Sequence, residues 1–289
     1  MNYNKRKKVL ILGVSGLLGS TVFKFFYKEN KFKIIGVSRK SKKFKRNSNL
    51  IQIVNKIDDF NVLRNIIKKN KPDYVINCIG VVKSSINKKS ILETIYINSL
   101  LPKNIAAMTN IFNFKFIHIS TDCVFRGDKG NYKEKFHPDA NDIYGISKIL
   151  GECENRSCLT IRTSIIGHSQ RDNKGLLEWF LSQKKTIKGY KNAFFSGFTT
   201  LELANILHNN IIEKKNFQSG IFHLSSKRIS KYDLLQKINK LYQRNIKIIK
   251  DEKFKIDRSL ESSMFKRKIK YKNKTWDQML LEMKRFNEQ

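Results

Sequence analysis

A continuous apolar run, Val9-Leu10-Ile11-Leu12, feeds directly into Gly13-Val14-Ser15-Gly16-Leu17-Leu18-Gly19. Apolar residues without alternation mark a strand buried on both faces of a parallel sheet. Val22, Phe23, Phe26 and Tyr27 then recur at helical spacing. Strand, glycine turn and helix, in that order, constrain the chain more than any other feature. Glycines let backbone N–H groups approach a pyrophosphate at the helix N-terminus, which is the dinucleotide-binding arrangement. The spacing is G-x-x-G-x-x-G rather than G-x-G-x-x-G, so its place between strand and helix carries the reading.

The alternation continues. Lys33-Ile34-Ile35-Gly36-Val37 is a second strand and ends in Ser38-Arg39-Lys40. An acidic residue usually stands here to hold the ribose hydroxyls of NAD. Arg39 and Lys40 instead favour a 2′-phosphate, which points to NADPH, with NADH as the alternative. Leu50–Val54 reads as strand three. Val62, Leu63, Ile66 and Ile67 mark one face of a helix, and Tyr74–Gly80 is strand four. A helix from about Ser90 to Thr109 contains Asn98 and Pro102, and Phe116–Ser120 is strand five. This pattern predicts an α/β fold, a Rossmann-type doubly wound parallel sheet. Gly13, Ser38, Gly80 and Ser120 fall at strand carboxyl ends, where such sheets bind ligands.

Further on, Tyr144-Gly145-Ile146-Ser147-Lys148 places a tyrosine and a lysine four residues apart, on one helix face. A phenol is a poor acid at neutral pH, and a nearby ammonium lowers its pKa. Such a pair can hand a proton to a carbonyl oxygen. Tyr-x-x-x-Lys is common by chance, so its neighbours decide its meaning.

Those neighbours are Ser120-Thr121-Asp122-Cys123-Val124-Phe125-Arg126-Gly127, then Tyr132-Lys133-Glu134 and Pro138, then Tyr144–Glu152, then Ile161-Arg162-Thr163-Ser164. The set resembles the extended short-chain dehydrogenase/reductase superfamily, and within it most resembles the dTDP-4-dehydrorhamnose reductase family. The resemblance covers nearly the whole chain, with its motifs in order. It implies an NADPH-dependent oxidoreductase that reduces a nucleotide-activated 4-keto-6-deoxy sugar, for deoxysugar and cell-surface polysaccharide synthesis. Tyr144 is then the proton donor, Lys148 lowers its pKa and holds the nicotinamide ribose, and Thr121 hydrogen-bonds the substrate carbonyl. Gly13, Ser15, Gly16, Leu17, Leu18 and Gly19 surround the cofactor pyrophosphate. Cys78, Ile79 and Gly80 line a ribose, Asn55 takes the place of an Asp near the adenine, and Asn98 supports the site. Asp122, Arg126, Trp179 and Phe195 are the candidate substrate contacts.

Several residues depart from that family. Cys123 replaces a Tyr, Arg126 replaces an Asp, Asn55-Lys56 replaces the acidic position, and Asn141-Asp142-Ile143 extends the loop before Tyr144. None removes a catalytic group; they bear on the sugar. Two other readings keep the fold. One is a sugar-nucleotide epimerase or dehydratase, which commonly needs a further acid/base residue beside Thr121. The other is a non-catalytic regulatory subunit, as in certain methionine adenosyltransferases. Intact Thr121, Tyr144 and Lys148 argue against the latter.

The chain has 289 residues, enough for one large domain or two lobes. Residues 1–166 are expected to form the nucleotide-binding domain, with 194–224 returning to it. Residues 167–193 and 225–289 are expected to form the smaller substrate lobe. There Leu176, Leu177, Phe180 and Leu181 mark a short helix, and Leu203, Ile206, Leu207 and Ile211 mark another. Ser230 caps a helix, and Thr275-Trp276-Asp277-Gln278 has capping-box spacing. The net charge is +34, from 58 basic and 24 acidic residues, but the cations are scattered rather than gathered in one stripe. General basic bias explains this better than a nucleic-acid site does. Cys78, Cys123, Cys153 and Cys158 form no Cys-x-x-Cys and have no histidine cluster beside them, so no metal site is expected. No apolar run reaches membrane-spanning length and no signal peptide stands at the N-terminus. The expectation is a cytoplasmic protein with a nucleotide-sugar substrate, no nucleic-acid partner, and a surface compatible with a homodimer.

Overall fold

The computed structural model describes residues 6–38, 51–53, 59–86, 91–169 and 175–289. Two compact units emerge. The first comprises residues 1–120, 142–161 and 217–221; the second comprises 121–141, 162–216 and 222–289.

In the first unit, β1 (Lys8–Leu12), α1 (Leu17–Glu29), β2 (Lys33–Ser38), β3 (Ile51–Ile53), α2 (Phe60–Asn70) and β4 (Tyr74–Asn77) follow in order. A long helix comes next, made of α3 (Ile91–Ile95), a π-helical segment Tyr96–Leu100, and α4 (Leu101–Phe112). Then come β5 (Lys115–Ile119), α5 (Ile143–Leu150) and β6 (Cys158–Arg162). The sheet has seven strands, with β6, β5, β4, β1, β2 and β3 side by side and the late strand Gly220–His223 beside β6. Every pairing from β3 to β6 is parallel. Strand order reverses between β1 and β4, the place where a doubly wound sheet opens a crevice.

The reasons for these elements are local. Val9, Leu10, Ile11 and Leu12 are all 0% exposed, as a strand covered on both faces requires. In α2, Leu63, Ile66 and Ile67 face inward, and Asp59 accepts hydrogen bonds from the N–H groups of Asn61 and Val62. Leu10, Leu12, Val75, Phe116, Ile105 and Met108 join one buried cluster between sheet and helices.

The long helix differs from the uninterrupted one expected over 90–109. The Leu101 N–H reaches back five residues to the carbonyl of Tyr96. Pro102 has no N–H to offer the carbonyl of Asn98. Gly151 lies against it: a Cβ at Gly151 would come within 2.0 Å of the Asn98 oxygen.

In the second unit, β7 (Ile165–Ile166), α6 (Leu176–Leu181), β8 (Ile187–Phe195), β9 (Phe198–Thr199) and α7 (Thr200–Asn205) lead into a second π-helical segment, Ile206–Glu213. The strand Gly220–His223, β10, ends in this unit. After it come β11 (Ile229–Ser230), α8 (Lys231–Leu241), β12 (Ile248–Asp257), α9 (Ser263–Lys268) and α10 (Trp276–Glu288). β8 is flanked by antiparallel β11 and parallel β12, and β7 pairs with β9. Leu203, Ile206, Leu207 and Ile211 are fully buried. Ser230 caps α8 by accepting from Asp233 N at 2.9 Å, and Thr275 and Gln278 form the capping box.

The units divide the chain differently from the expected boundaries. Residues 121–141 belong to the second unit, because Tyr132 N donates to Ser259 O and Glu261 N donates to Tyr132 O. Asp257 N likewise donates to Gly127 O. Residues 194–216 also belong there, through β8, β9 and α7. Among the described residues no helix is long and apolar enough to cross a membrane.

Candidate active site

The glycine turn is built as its spacing implies. Gly13 has φ +82°, a left-handed conformation that glycine adopts without strain, and a Cβ there would meet Ile79 Cγ1 at 2.9 Å. Its carbonyl accepts from Gly16 N at 2.9 Å, and a Cβ on Gly19 would lie 2.2 Å from the same oxygen. Gly16 is the N-cap of α1. It has no capping side chain, and no acidic residue follows in the first turn. The first N–H groups of this 13-residue helix have no intrahelical acceptor and carry its partial positive charge. This cradle fits a pyrophosphate. Ser15, Leu17 and Leu18 lie in the same turn, and Ser38 is buried at the end of β2. Arg39, Lys40 and Asn55 lie outside the described residues.

Beside the turn, β4 is followed by Cys78-Ile79-Gly80. Ile79 N donates to Asn77 Oδ1 at 3.0 Å, and Asn77 Nδ2 lies 3.2 Å from His118 Nδ1. His118 is buried. Burial, with the cations of Lys148 and Lys103, holds its pKa well below 6.5, so the ring is neutral and accepts from Asn77. Burial pushes the Cys78 thiol up to about 12, which keeps it protonated.

Tyr144 and Lys148 both lie on α5. Asp142 caps that helix by accepting from Gly145 N at 2.8 Å, and Lys83 pairs with Asp142 at 2.7 Å. The residue expected in a loop extension is thus the helix start. Ser147 Oγ donates to Tyr144 O at 2.8 Å, and Ser99 Oγ donates to Ser147 O at 2.8 Å. Asn98, fully buried, donates to Ser147 Oγ at 3.1 Å and to Val81 O at 3.1 Å, and accepts from Val81 N at 2.9 Å. One side chain therefore ties the segment after β4 to α5, and the π turn positions it.

Lys148 is only 4% exposed. Its Nζ donates to the carbonyl of Ile119, the last residue of β5, at 2.8 Å. Burial lowers its pKa from 10.5 to about 8, against the upward pull of Glu152. The Glu152 carboxylate in turn accepts from Ser120 Oγ at 2.8 Å. Glu152, Ser147, Asn77 and His118 support the site in ways the sequence motifs did not reveal, since each meets a partner far away in the chain.

The second unit holds Thr121. Its Oγ1 accepts from Cys123 N at 3.1 Å and donates to Asp122 Oδ1 at 3.2 Å. Burial pushes the Asp122 carboxyl up from 3.8, opposed by Arg258 and Lys231. Lys231 is lowered by burial, and its Nζ lies 5.8 Å from the Phe195 ring centre. Phe195 is buried and packs on Trp276 at 5.4 Å. Arg126 is exposed and pairs with Asp128 at 3.2 Å and Asp139 at 3.5 Å. Trp179 is 40% exposed on α6. The structure thus groups Thr121, Asp122, Phe195, Lys231 and Arg258, and leaves Arg126 in a surface ion pair. No motif announced Lys231 or Arg258.

A family model described as the RmlD substrate binding domain matches residues 7–285. The chain belongs to that family. Membership agrees with the resemblance to dTDP-4-dehydrorhamnose reductases drawn from the motifs around Tyr144. The chain is 28% identical over 146 residues to methionine adenosyltransferase 2 subunit beta of Xenopus laevis, covering 50% of this chain and 42% of that protein. It thus spans less than half the length of that relative. It is 26% identical over 229 residues to the spore coat polysaccharide biosynthesis protein SpsK of Bacillus subtilis (strain 168), covering 77% of this chain and 74% of that one. A solved structure of dTDP-4-dehydrorhamnose reductase from Bacillus anthracis str. Ames in complex with NADP matches with a TM-score of 0.79 at 19% identity. That match covers 98% of this chain and 100% of the other. The likeness shows the Rossmann-type fold.

Proposed function

We propose that the protein is an NADPH-dependent reductase of a nucleotide-activated 4-keto-6-deoxy sugar, serving polysaccharide synthesis. One observation carries the reading: Tyr144 and Lys148 share a helix, and Lys148 is buried with its amine bound to the end of β5. A binding module has no need of a buried lysine one turn from a tyrosine. The SpsK likeness and the NADP-bound reductase with the same fold support the substrate class and the cofactor.

When bound, a nicotinamide dinucleotide would supply a hydride for the keto carbon. The chain does the rest. The free N–H groups at the start of α1 hold the pyrophosphate. Tyr144 protonates the developing alkoxide, and Lys148 favours the phenolate that remains. In the same proposal Thr121 keeps its role of hydrogen-bonding the substrate oxygen. Asn98 acts through Ser147 and holds α5 in register.

A second reading is favoured by the likeness to the adenosyltransferase beta subunit: a non-catalytic partner of another enzyme. NADPH oxidation against a panel of 4-keto sugar nucleotides separates the two. The reductase predicts stoichiometric NADPH loss with an activated keto sugar, and much slower loss with the free sugar, because remote binding energy positions the reacting centre. The absence of oxidation with every activated sugar hands the case to the regulatory reading.

A further inference from the structure

The second unit contains a cavity of about 420 Å³ that none of the roles above uses. Backbone alternation separates it from the Thr121 cluster. Arg258 points toward Phe125, whose carbonyl accepts from its Nε at 2.7 Å, while Asp257 and Ser259 on either side line the cavity.

The wall is rich in uncommitted donors. Ser259 Oγ accepts from Asn131 N at 2.8 Å, and Ser196 Oγ accepts from Leu260 N at 3.1 Å. Among the described residues neither hydroxyl has an acceptor for its own proton. Among the described residues Lys266 Nζ makes one hydrogen bond, to the Ser225 carbonyl at 3.4 Å, and burial lowers its pKa against the pull of the nearby Glu261 carboxylate. Lys129 lines the same cavity and has no ion pair among the described residues. The remaining cation is already spent: Arg228 bonds Asp257 at 2.7 Å and covers the Phe194 ring at 3.1 Å. Glu261 accepts from Ser263 N at 2.6 Å, and, against burial, the Ser263 hydroxyl and the cations of Lys266 and Lys133 hold its pKa below the usual carboxylate value, so it faces the cavity as a carboxylate.

We propose that this cavity is a binding site for a phosphorylated monosaccharide. The ammonium groups of Lys129 and Lys266, with the hydroxyls of Ser196 and Ser259, suit an oxyanion through charge-assisted hydrogen bonds. The volume lies in the range of small-molecule pockets, more than a bare phosphate needs. Glu261 offers an acceptor to sugar hydroxyls. No described lining residue is aromatic, so a nucleobase has nothing to stack on.

Calorimetric titration of the full chain with glucose 1-phosphate, inorganic phosphate and glucose tests this. Glucose 1-phosphate should bind one per chain, phosphate more weakly, and glucose without measurable heat. Lys266→Gln should weaken glucose 1-phosphate by about tenfold, and Ser259→Ala by a smaller factor, with melting temperature retained. Asp122→Asn should leave the affinity unchanged. No heat with glucose 1-phosphate at millimolar concentration overturns the proposal. So does equal affinity for phosphate, which would mean an adventitious ion only. Binding unchanged in both Lys266→Gln and Ser259→Ala, or lost in Asp122→Asn, also overturns it.

Discussion

The amine of Lys148 donates to the carbonyl of Ile119, 29 residues earlier, at 2.8 Å. A strand end thus fixes a helix side chain without any acidic partner in that bond. Burial without full compensation lowers the lysine from 10.5 to about 8. Between those values the unfolded chain binds the proton and the folded chain does not. Stability therefore rises with pH through that window, and the cost of charging Lys148, about 3 kcal/mol, is felt in full below it. Urea midpoints of the parent and of Lys148→Met, taken from pH 7.5 to 10, should converge as pH rises. Parallel curves would show that Lys148 is not desolvated in the folded state.

Tyr144→Phe removes only a hydroxyl from α5. Cofactor affinity should stay within about twofold, while turnover falls by roughly 10²–10⁴-fold, the usual contribution of a positioned acid. Single-turnover NADPH oxidation is the measurement. A Phe variant at the parent rate means the proton comes from elsewhere.

His223 gives a pH effect of the same sign in a more acidic window. Its Nδ1 faces the Tyr132 carbonyl at 3.0 Å, and its Nε2 lies 3.3 Å from an Arg162 nitrogen. The ring must donate to Tyr132 and accept from Arg162, so a second proton would meet the guanidinium. Burial, then Arg162, lowers its pKa from 6.5 to about 4. The unfolded chain binds more protons between these values, so stability is fully present above 6.5 and is lost as pH falls toward 4. His118, also held low by burial, adds to the loss. His223→Gln should be less stable at pH 7 and show a flatter decline of melting temperature from pH 7 to 4.5. An unchanged slope would exonerate His223.

Arg39 and Lys40 directly follow β2 in sequence. Their cations should make NADPH bind more tightly than NADH, with the gap narrowing as salt rises. Fluorescence titration of both cofactors at two ionic strengths reads this. Equal affinities at low salt, or a preference surviving Arg39→Ala with Lys40→Ala, would remove both residues from the ribose site.

What was legible in the sequence was local. Val9–Leu12, the apolar face Val62, Leu63, Ile66 and Ile67 of α2, Ser230 and Thr275 each announce an element through neighbours close in sequence, whereas the Asp59 cap of α2 was not read. The glycine turn was legible for the same reason. Glu152 with Ser120, Asn77 with His118, and Lys231 with Asp122 meet only because strands and helices bring distant positions together. Arg126 has a local cause, since Asp128 and Asp139 lie close enough to claim its charge. The unit boundary at Thr121 depends on hydrogen bonds to Asp257, Ser259 and Glu261, which no composition shift marks.

The π turn at Tyr96–Leu100 amounts to one surplus residue in an otherwise regular helix. Deleting one residue there would restore the α ladder and give a more regular rod. It would also rotate whatever precedes the deletion by about 100° relative to α4. Asn98 could then no longer reach both Val81 and Ser147. The irregularity divides the helix into two pieces set at different angular phases, one keyed to the core and the other, through Asn98 and Ser147, to α5. A chain shortened there would keep its helix and lose the one side chain that ties the segment after β4 to α5.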